Sequence, residues 1–251
     1  MSLTDEAVEK IKQMIIEGHL RAGDRLPREQ ELARELGLSR GSLREAVRAL
    51  TMMRILDTRQ GDGTYVTALS PDDLIGTMGF VIDFQPDKSL LDFFHVRRVL
   101  EAEAAAAAAP RIQDADLDDL RRLLQDADAM AQIKPLDHAA MLVKDQEFHR
   151  TINRIGGNPV LAAITDSMSG NTNRARTWRG VADREAPNRT LQDHWAIFHA
   201  LRDRDPERAR LRAAIHVSNV EDWLREHALG KPDGVGDNLT AVSATDTTVA
   251  P

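Results

Sequence analysis

Three arginines four residues apart, and one carboxylate with three histidines, are the groups in this sequence whose types and spacing could do chemistry. In SRGSLREAVRAL, Ser39 to Leu50, Arg40, Arg44 and Arg48 alternate with Leu43, Val47 and Leu50. At about 100° per residue a helix puts the arginines on one face and the apolar residues on another. A guanidinium is a planar fork that matches phosphate oxygens and the O6/N7 edge of guanine, so such a face suits duplex DNA. An isolated charged face is more often simply solvated, and Glu45 offsets part of this one. The second set lies far down the chain. DQEFHR places Asp145 and His149 at i, i+4, on one helix face with Cβ atoms about 5–6 Å apart. His194 in LQDHWAIFHAL and His216 in RLRAAIHVSNV have apolar neighbours at helical spacing (Ile197 and Leu201; Leu211 and Ile215), which turns both imidazoles inward. Three imidazoles and one carboxylate suit a first-row divalent ion such as zinc, nickel, cobalt, iron or manganese. Any one of these histidines alone is more often an ordinary hydrogen-bonded residue.

The chain that must position these groups has 251 residues, enough for one to three domains with a real core. Cysteine is absent, which excludes a disulfide framework, a thiolate metal site and a thiol nucleophile. The start, MSLTDEAVEKIKQM, has no signal-peptide apolar run, and no stretch approaches a membrane span. A cytoplasmic protein with no membrane partner is expected. The net charge of −7 argues against nucleic acid as a partner until it is mapped along the chain. Residues 1–68 hold 11 basic and 11 acidic residues, so the excess of acid lies entirely beyond them. From Ser39 to Arg54 four arginines face Glu45 alone.

Periodicity and punctuation then supply the elements. Asp5 to Glu17 carries Val8, Ile11, Ile15 and Ile16 as a helical core stripe closed by Gly18. A second helix over Arg28–Leu36 turns Leu32, Ala33 and Leu36 inward and ends at Gly37, a left-handed cap; Ser39 caps the third. ILDTRQGDGTYVTAL alternates and turns at GDG, which predicts a hairpin. The first 68 residues thus read as a winged helix-turn-helix: three helices plus a two-stranded wing. ALSPDDL opens a connector over 69–88, with Ser70 as N-cap, Pro71 in the first turn and Asp73 closing a capping box. From there the chain is all-helical, with helices expected at 71–83, 89–109, 114–131, 136–155, 159–178, 188–203 and 206–228. Pro110, Pro135, Gly156-Gly157, Pro187 and Pro206 punctuate them. The run AEAAAAAAP is read as close-packing helix. The fold class is therefore mainly α, a winged helix-turn-helix followed by an antiparallel helical bundle over 89–229. A disordered tail is expected over 230–251, where nothing aromatic remains to bury.

LPREQELARELGLSRGSLREAVRALTMMRILDTRQGDGTYV, Leu26 to Val66, resembles the N-terminal domain of GntR-type bacterial transcription regulators. The resemblance implies that Arg40 and Arg44 contact DNA, with Arg48, Ser42 and Arg28 as further contacts. It also implies that Gly61, Gly63 and Thr64 shape a wing near the minor groove. Two residues depart from the family pattern. Gln30 stands where an arginine is usual, with Arg28 two residues earlier, and Asp62 puts a negative charge at the wing tip. The second segment, about Leu90 to Leu224, is similar in DQEFH, GGNPVL, DH at Asp193-His194 and DPERARLRAAIH to the all-α FCD effector domain of the FadR-like branch. That likeness implies Asp145, His149, His194 and His216 as ligands of a divalent transition metal, zinc foremost. In FFHVRRVLE it puts Arg97 at an effector-contacting position, with His95 where glutamate is common. Asn171, Asn173 and Arg174 are further candidates to line the effector pocket. His19, His138, His199 and His227 have no such match.

The reading is of a homodimeric, metabolite-responsive regulator, a repressor in the usual manner of that family. It would bind a palindromic double-stranded operator and a small organic-acid effector. The alternative is a metal-dependent enzyme acting on an organic acid, since an open position on a His/Asp-bound metal also activates water. Against it, Glu147 lies roughly 200° round the helix from Asp145, and the chain has no phosphate-binding glycine loop and no nucleophile elbow.

Overall fold

The computed structural model describes residues 2–73, 75 and 90–228, and the chain divides into two compact units, Met1–Met78 and Gly79–Pro251. Most of the expected 71–83 helix, the rest of the connector and the expected tail from 230 lie outside the described residues. Among those described, no helix is long and apolar enough to cross a membrane.

The first unit is built on three helices. Helix α1, Leu3–Ile16, starts at a capping box in which Ser2 and Asp5 exchange hydrogen bonds. Helices α2, Glu29–Glu35, and α3, Arg40–Met52, follow at the expected places. Strands β1, Leu56–Arg59, and β2, Gly63–Val66, pair antiparallel from Leu56 opposite Val66 to Arg59 opposite Gly63. Ile11, Leu32, Leu43, Leu50 and Leu56 form the buried centre. The α2–α3 turn depends on Gly37, whose φ of 67° lets the Leu38 N–H reach back to the Ala33 carbonyl at 2.8 Å. A left-handed residue closing a helix with that bond leaves α3 free to start at once. Ser39 then accepts the Ser42 N–H at 3.0 Å as N-cap. One expectation fails here: Ile16 is 67% exposed, and the α1 stripe consists of Ala7 and Ile11 with Val8, Met14 and Ile15 partly covered. The Ser70–Asp73 capping box forms as read, Ser70 Oγ accepting the Asp73 N–H at 3.1 Å.

The second unit is helical throughout its described residues. Its elements are α4, Leu90–Ala108; α5, Asp114–Gln132; α6, His138–Ile155; α7, Pro159–Asn171; α8, Asn173–Ala182; α9, Ala186–Arg202; and α10, Pro206–Ala228. The alanine run of α4 is nearly all buried, and small side chains let α10 pack closely along it. Leu120, Leu124, Phe148, Ile152, Ile197, Phe198 and Leu201 fill the space between α5, α6 and α9. Two boundaries differ from expectation. Pro187 lies inside the first turn of α9, where a missing N–H is harmless, so the helix starts before it. The single helix expected over 159–178 is two helices broken at Thr172, which sits fully buried at φ −89°, ψ 0°. Its hydroxyl donates to the Ser169 carbonyl at 3.1 Å and accepts from Arg97 at 2.5 Å. That buried arginine is satisfied by the break itself.

Candidate metal centre and nucleic-acid face

Three helices bring the carboxylate and the imidazoles together. Asp145 and His149 come from α6, one turn apart, His194 from α9 and His216 from α10, and their ligand atoms all lie within 4.8 Å of one another. The rings pack edge and face: centroids are 5.1 Å apart for His149–His194, 5.0 Å for His149–His216 and 4.6 Å for His194–His216. Phe148 stacks on His194 at 4.5 Å and closes one side with apolar surface. His216 does turn inward, but Leu211 and Ile215 do not bury with it, being 58% and 37% exposed. Val217 and Val220 cover that side of α10 instead.

A second layer of polar groups orients these rings. Glu101 directs Oε2 at His149 Nδ1 at 3.1 Å, while its Oε1 accepts from Arg97 Nε at 2.9 Å and Nη2 at 2.5 Å. Asp193 Oδ2 lies 3.6 Å from His216 Nδ1 and accepts from Asn219 at 2.8 Å. Asp145 pairs with Arg176 on one oxygen and lies 3.4 Å from His194 Nε2 on the other. A carboxylate holding Nδ1–H fixes the tautomer that leaves Nε2 with a lone pair. Among the described residues His149 Nε2, His194 Nε2 and His216 Nδ1 are buried with no hydrogen-bond partner. Orphaned imidazole nitrogens aimed at each other are what a divalent cation needs and what a purely structural cluster avoids.

The electrostatics agree with neutral, ligand-ready rings. Burial, reinforced by the neighbouring imidazoles, holds His194 well below the usual histidine range and pulls His216 down to about 4. Burial opposes the charge of Glu101, yet Arg97 and His149 outweigh it and keep the carboxyl well below its usual range. Burial lowers Arg176 to about 9, with Arg97 adding repulsion. The donor set therefore fits a small divalent ion: three imidazoles and one carboxylate, the latter paired with Arg176 on one oxygen.

A cavity of about 80 Å³ opens beside the cluster. Asp145, His194 and His216 form part of its wall, and Arg176 and Arg179 of α8 and Thr190 of α9 also line it. The residues expected to contact an effector are placed differently. Arg97 is 2% exposed, committed to Glu101 and Thr172, and does not line the cavity. His95 is exposed on the outer face of α4 and bonds Arg98 at 2.8 Å. Arg174 is exposed, since two residues turn a helical side chain roughly 200° from Arg176. Asn171 ends α7, with its side chain outside the described residues. Asn173 bonds Gln146 at 2.9 Å. Sequence reasoning missed Glu101, Arg176 and Arg179. The i, i+4 spacing of Arg97 and Glu101 was a readable signal for the first, whereas the other two depend on where α8 begins. Glu147, the acid weighed for catalysis, is 57% exposed and faces Lys144 at 3.8 Å.

In the first unit, Arg40, Arg44 and Arg48 all lie exposed along α3, and Ser42 is half-buried in the cap with its hydroxyl 2.9 Å from Ser39 Oγ. Arg44 pairs with Glu29 at 3.2 Å and Arg48 with Glu45 at 2.9 Å; Arg40 has no ion pair among the described residues. Exposed pairs of this kind contribute ~0–1 kcal/mol, so a phosphate can displace them. Arg28 is exposed just before α2. Gly61 turns the wing at φ 77°, and Thr64 meets Thr58 across it at 3.2 Å. A Cβ at Gly63 would fall 2.4 Å from Arg25 Nε, so this glycine gives Arg25 room to donate to the Asp62 carbonyl. Asp62 accepts the Tyr65 hydroxyl at 2.9 Å, which ties its charge into the wing tip.

Comparison with known proteins matches residues 3–66 to the model of "Bacterial regulatory proteins, gntR family" and residues 92–219 to that of the "FCD domain". The chain is 31% identical over 241 residues to the HTH-type transcriptional repressor NanR of Citrobacter rodentium, covering 91% of this chain and 87% of that protein. It is 30% identical over 235 residues to the NanR repressor of Klebsiella aerogenes, with the same two coverages. Among solved structures it is similar to Streptococcus agalactiae GntR, at 27% identity and a TM-score of 0.64, over 88% of this chain and 99% of that one. The E. coli McbR/YncC structure, at 19% identity and a TM-score of 0.51 over 91% of this chain and 99% of that one, shares the fold.

Proposed function

Because the chain belongs to the gntR family of bacterial regulatory proteins and carries an FCD domain, it is a DNA-binding transcription regulator, and we propose that a divalent metal and a small carboxylate control it. The observation that carries this reading is the convergence of Asp145, His149, His194 and His216 within 4.8 Å, with three imidazole nitrogens left unpartnered among the described residues. Those four residues hold the ion, zinc in the first instance. When bound, the ion supplies a Lewis-acid position at which a carboxylate can dock. The chain's own groups do the rest. Glu101 orients His149 from 3.1 Å, Asp193 lies near His216 Nδ1, Arg176 holds Asp145, and Phe148 keeps water from one side.

DNA binding rests on the other unit. Arg40, Arg44 and Arg48 meet phosphates and base edges in the major groove, with Ser42 and Arg28 at the margin and Gly61, Gly63 and Thr64 in the wing. A homodimer reading a palindromic operator follows from the usual symmetry of such readers. Repression is the direction we propose, because the curated relatives at 30–31% identity are named repressors. The test is metal content after purification and dialysis against zinc. About one ion per chain is expected in the parent protein, and its loss in His149→Ala/His194→Ala. A parent protein that retains no metal overturns the reading.

A further inference from the structure

We propose that Arg179 is an anion anchor in the cavity beside the histidine cluster, so that the effector is a two-ended anion with one group at the ion and the other at this guanidinium. The inference rests on the metal reading above and adds to it the chemical class of the ligand.

Arg179 sits in α8, 6% exposed, in the cavity wall. Among the described residues its one hydrogen bond is a long one, from Nη1 to Thr190 Oγ1 at 3.4 Å, and its buried Nε has no partner. No carboxylate lies within ion-pair distance of it among the described residues. The other cations nearby each have a carboxylate within ion-pair distance, although Arg176 keeps guanidinium nitrogens without a hydrogen bond. Arg176 is taken by Asp145, Lys144 faces Asp126 at 3.6 Å and Glu147 at 3.8 Å, and Arg97 is held by Glu101. Asp183 and Asp193 favour the charge of Arg179 from farther away. Each has its own partner: Asp183 pairs with Arg189, and Asp193 accepts from Asn219.

A buried guanidinium without an anion is expensive, and the expense is recovered when an anion arrives. The hydroxyls of Thr177 and Thr190 share this wall and can donate to the same group. The spacing sets the ligand's length. Arg179 lies one helical turn beyond Arg176, which grips the metal-ligating Asp145, so the two anionic ends must sit roughly 5 Å apart or somewhat more. A short dicarboxylate has that span, whereas a monocarboxylate leaves Arg179 unsatisfied.

The experiment is calorimetric titration of the zinc-loaded full-length protein with succinate and with butyrate, which share a chain length and differ in the second carboxylate. Succinate is expected to bind roughly tenfold tighter or better, the usual size of a charged hydrogen bond. Arg179→Gln is expected to bring succinate down to the level of butyrate. Equal affinities in the parent, or a succinate-to-butyrate ratio that survives Arg179→Gln, overturns the proposal. If the glutamine variant does not fold, Arg179→Lys serves: it keeps the charge but loses the fork, so the ratio should shrink without vanishing, and an unchanged ratio overturns the proposal. Zinc content measured on the same samples separates the two claims. A parent without zinc removes the metal reading and this inference with it, while a zinc-loaded parent indifferent to the second carboxylate removes the Arg179 inference alone.

Discussion

Glu101 divides its two oxygens between Arg97 and His149, and that division fixes which nitrogen His149 can offer an ion. Glu101→Gln keeps the shape but removes the charge that holds Nδ1–H in place. Zinc affinity, read by competition with a chromogenic chelator, is expected to fall about 10–100-fold. An unchanged affinity would show that the His149 tautomer is set elsewhere. The same rings predict a pH dependence for the chelated protein. Burial depresses His194 and His216 below the ordinary value of 6.5, the latter to about 4. Between those limits the unfolded chain binds protons that the native state refuses, so native stability falls as pH drops from 7 to 5. Urea midpoints at the two pH values should record this loss, and His216→Asn should flatten it. The clustering of Asp145, His149, His194 and His216 was legible because each lies on a strongly periodic helix and because their order resembles that of a known domain. Arg97 and His95 do not line the cavity, and a residue's position in a family pattern does not say what its neighbours will claim from it. Here Glu101 and Thr172 take the Arg97 guanidinium completely.

At the scale of elements, glycine and serine announced caps and turns at Gly37, Ser39, Gly61 and Ser70, whereas Pro187 fell inside α9 and not ahead of it. The break at Thr172 follows Ser169 and Gly170, a weaker signal than a proline. Nothing in SGNTNRAR forbids a continuous helix, and the interruption is held by a tertiary contact, the Arg97–Thr172 hydrogen bond. Arg176 and Arg179, and not Arg174, line the cavity. A related case is Arg54, which closes α3 in the left-handed region at φ 57° while Ile55 bonds back to Leu50 at 2.9 Å. A side chain there carries a steric cost of about 1 kcal/mol that glycine lacks. Arg54→Gly should therefore raise the thermal midpoint by a few degrees, on the order of ~1 kcal/mol. A fall in midpoint would mean that the arginine makes a compensating contact.

At the scale of the whole molecule, a DNA-reading unit with no net charge in its first 68 residues is joined to an acidic, histidine-centred bundle. Charge summed over the chain hides this arrangement, while charge mapped along it exposes the arginine face. For the bundle to govern the first unit, its ligand must favour one arrangement over another, and a coupling of ~1–3 kcal/mol is the usual scale. The most direct measurement is the affinity for a labelled promoter fragment of the protein's own gene, at one fixed salt concentration. It should be made with chelated protein, with zinc-loaded protein and with zinc-loaded protein saturated with succinate. The account predicts that succinate changes the affinity of the loaded form roughly 5–150-fold, and that chelation abolishes the response. Three superimposable binding curves would contradict it.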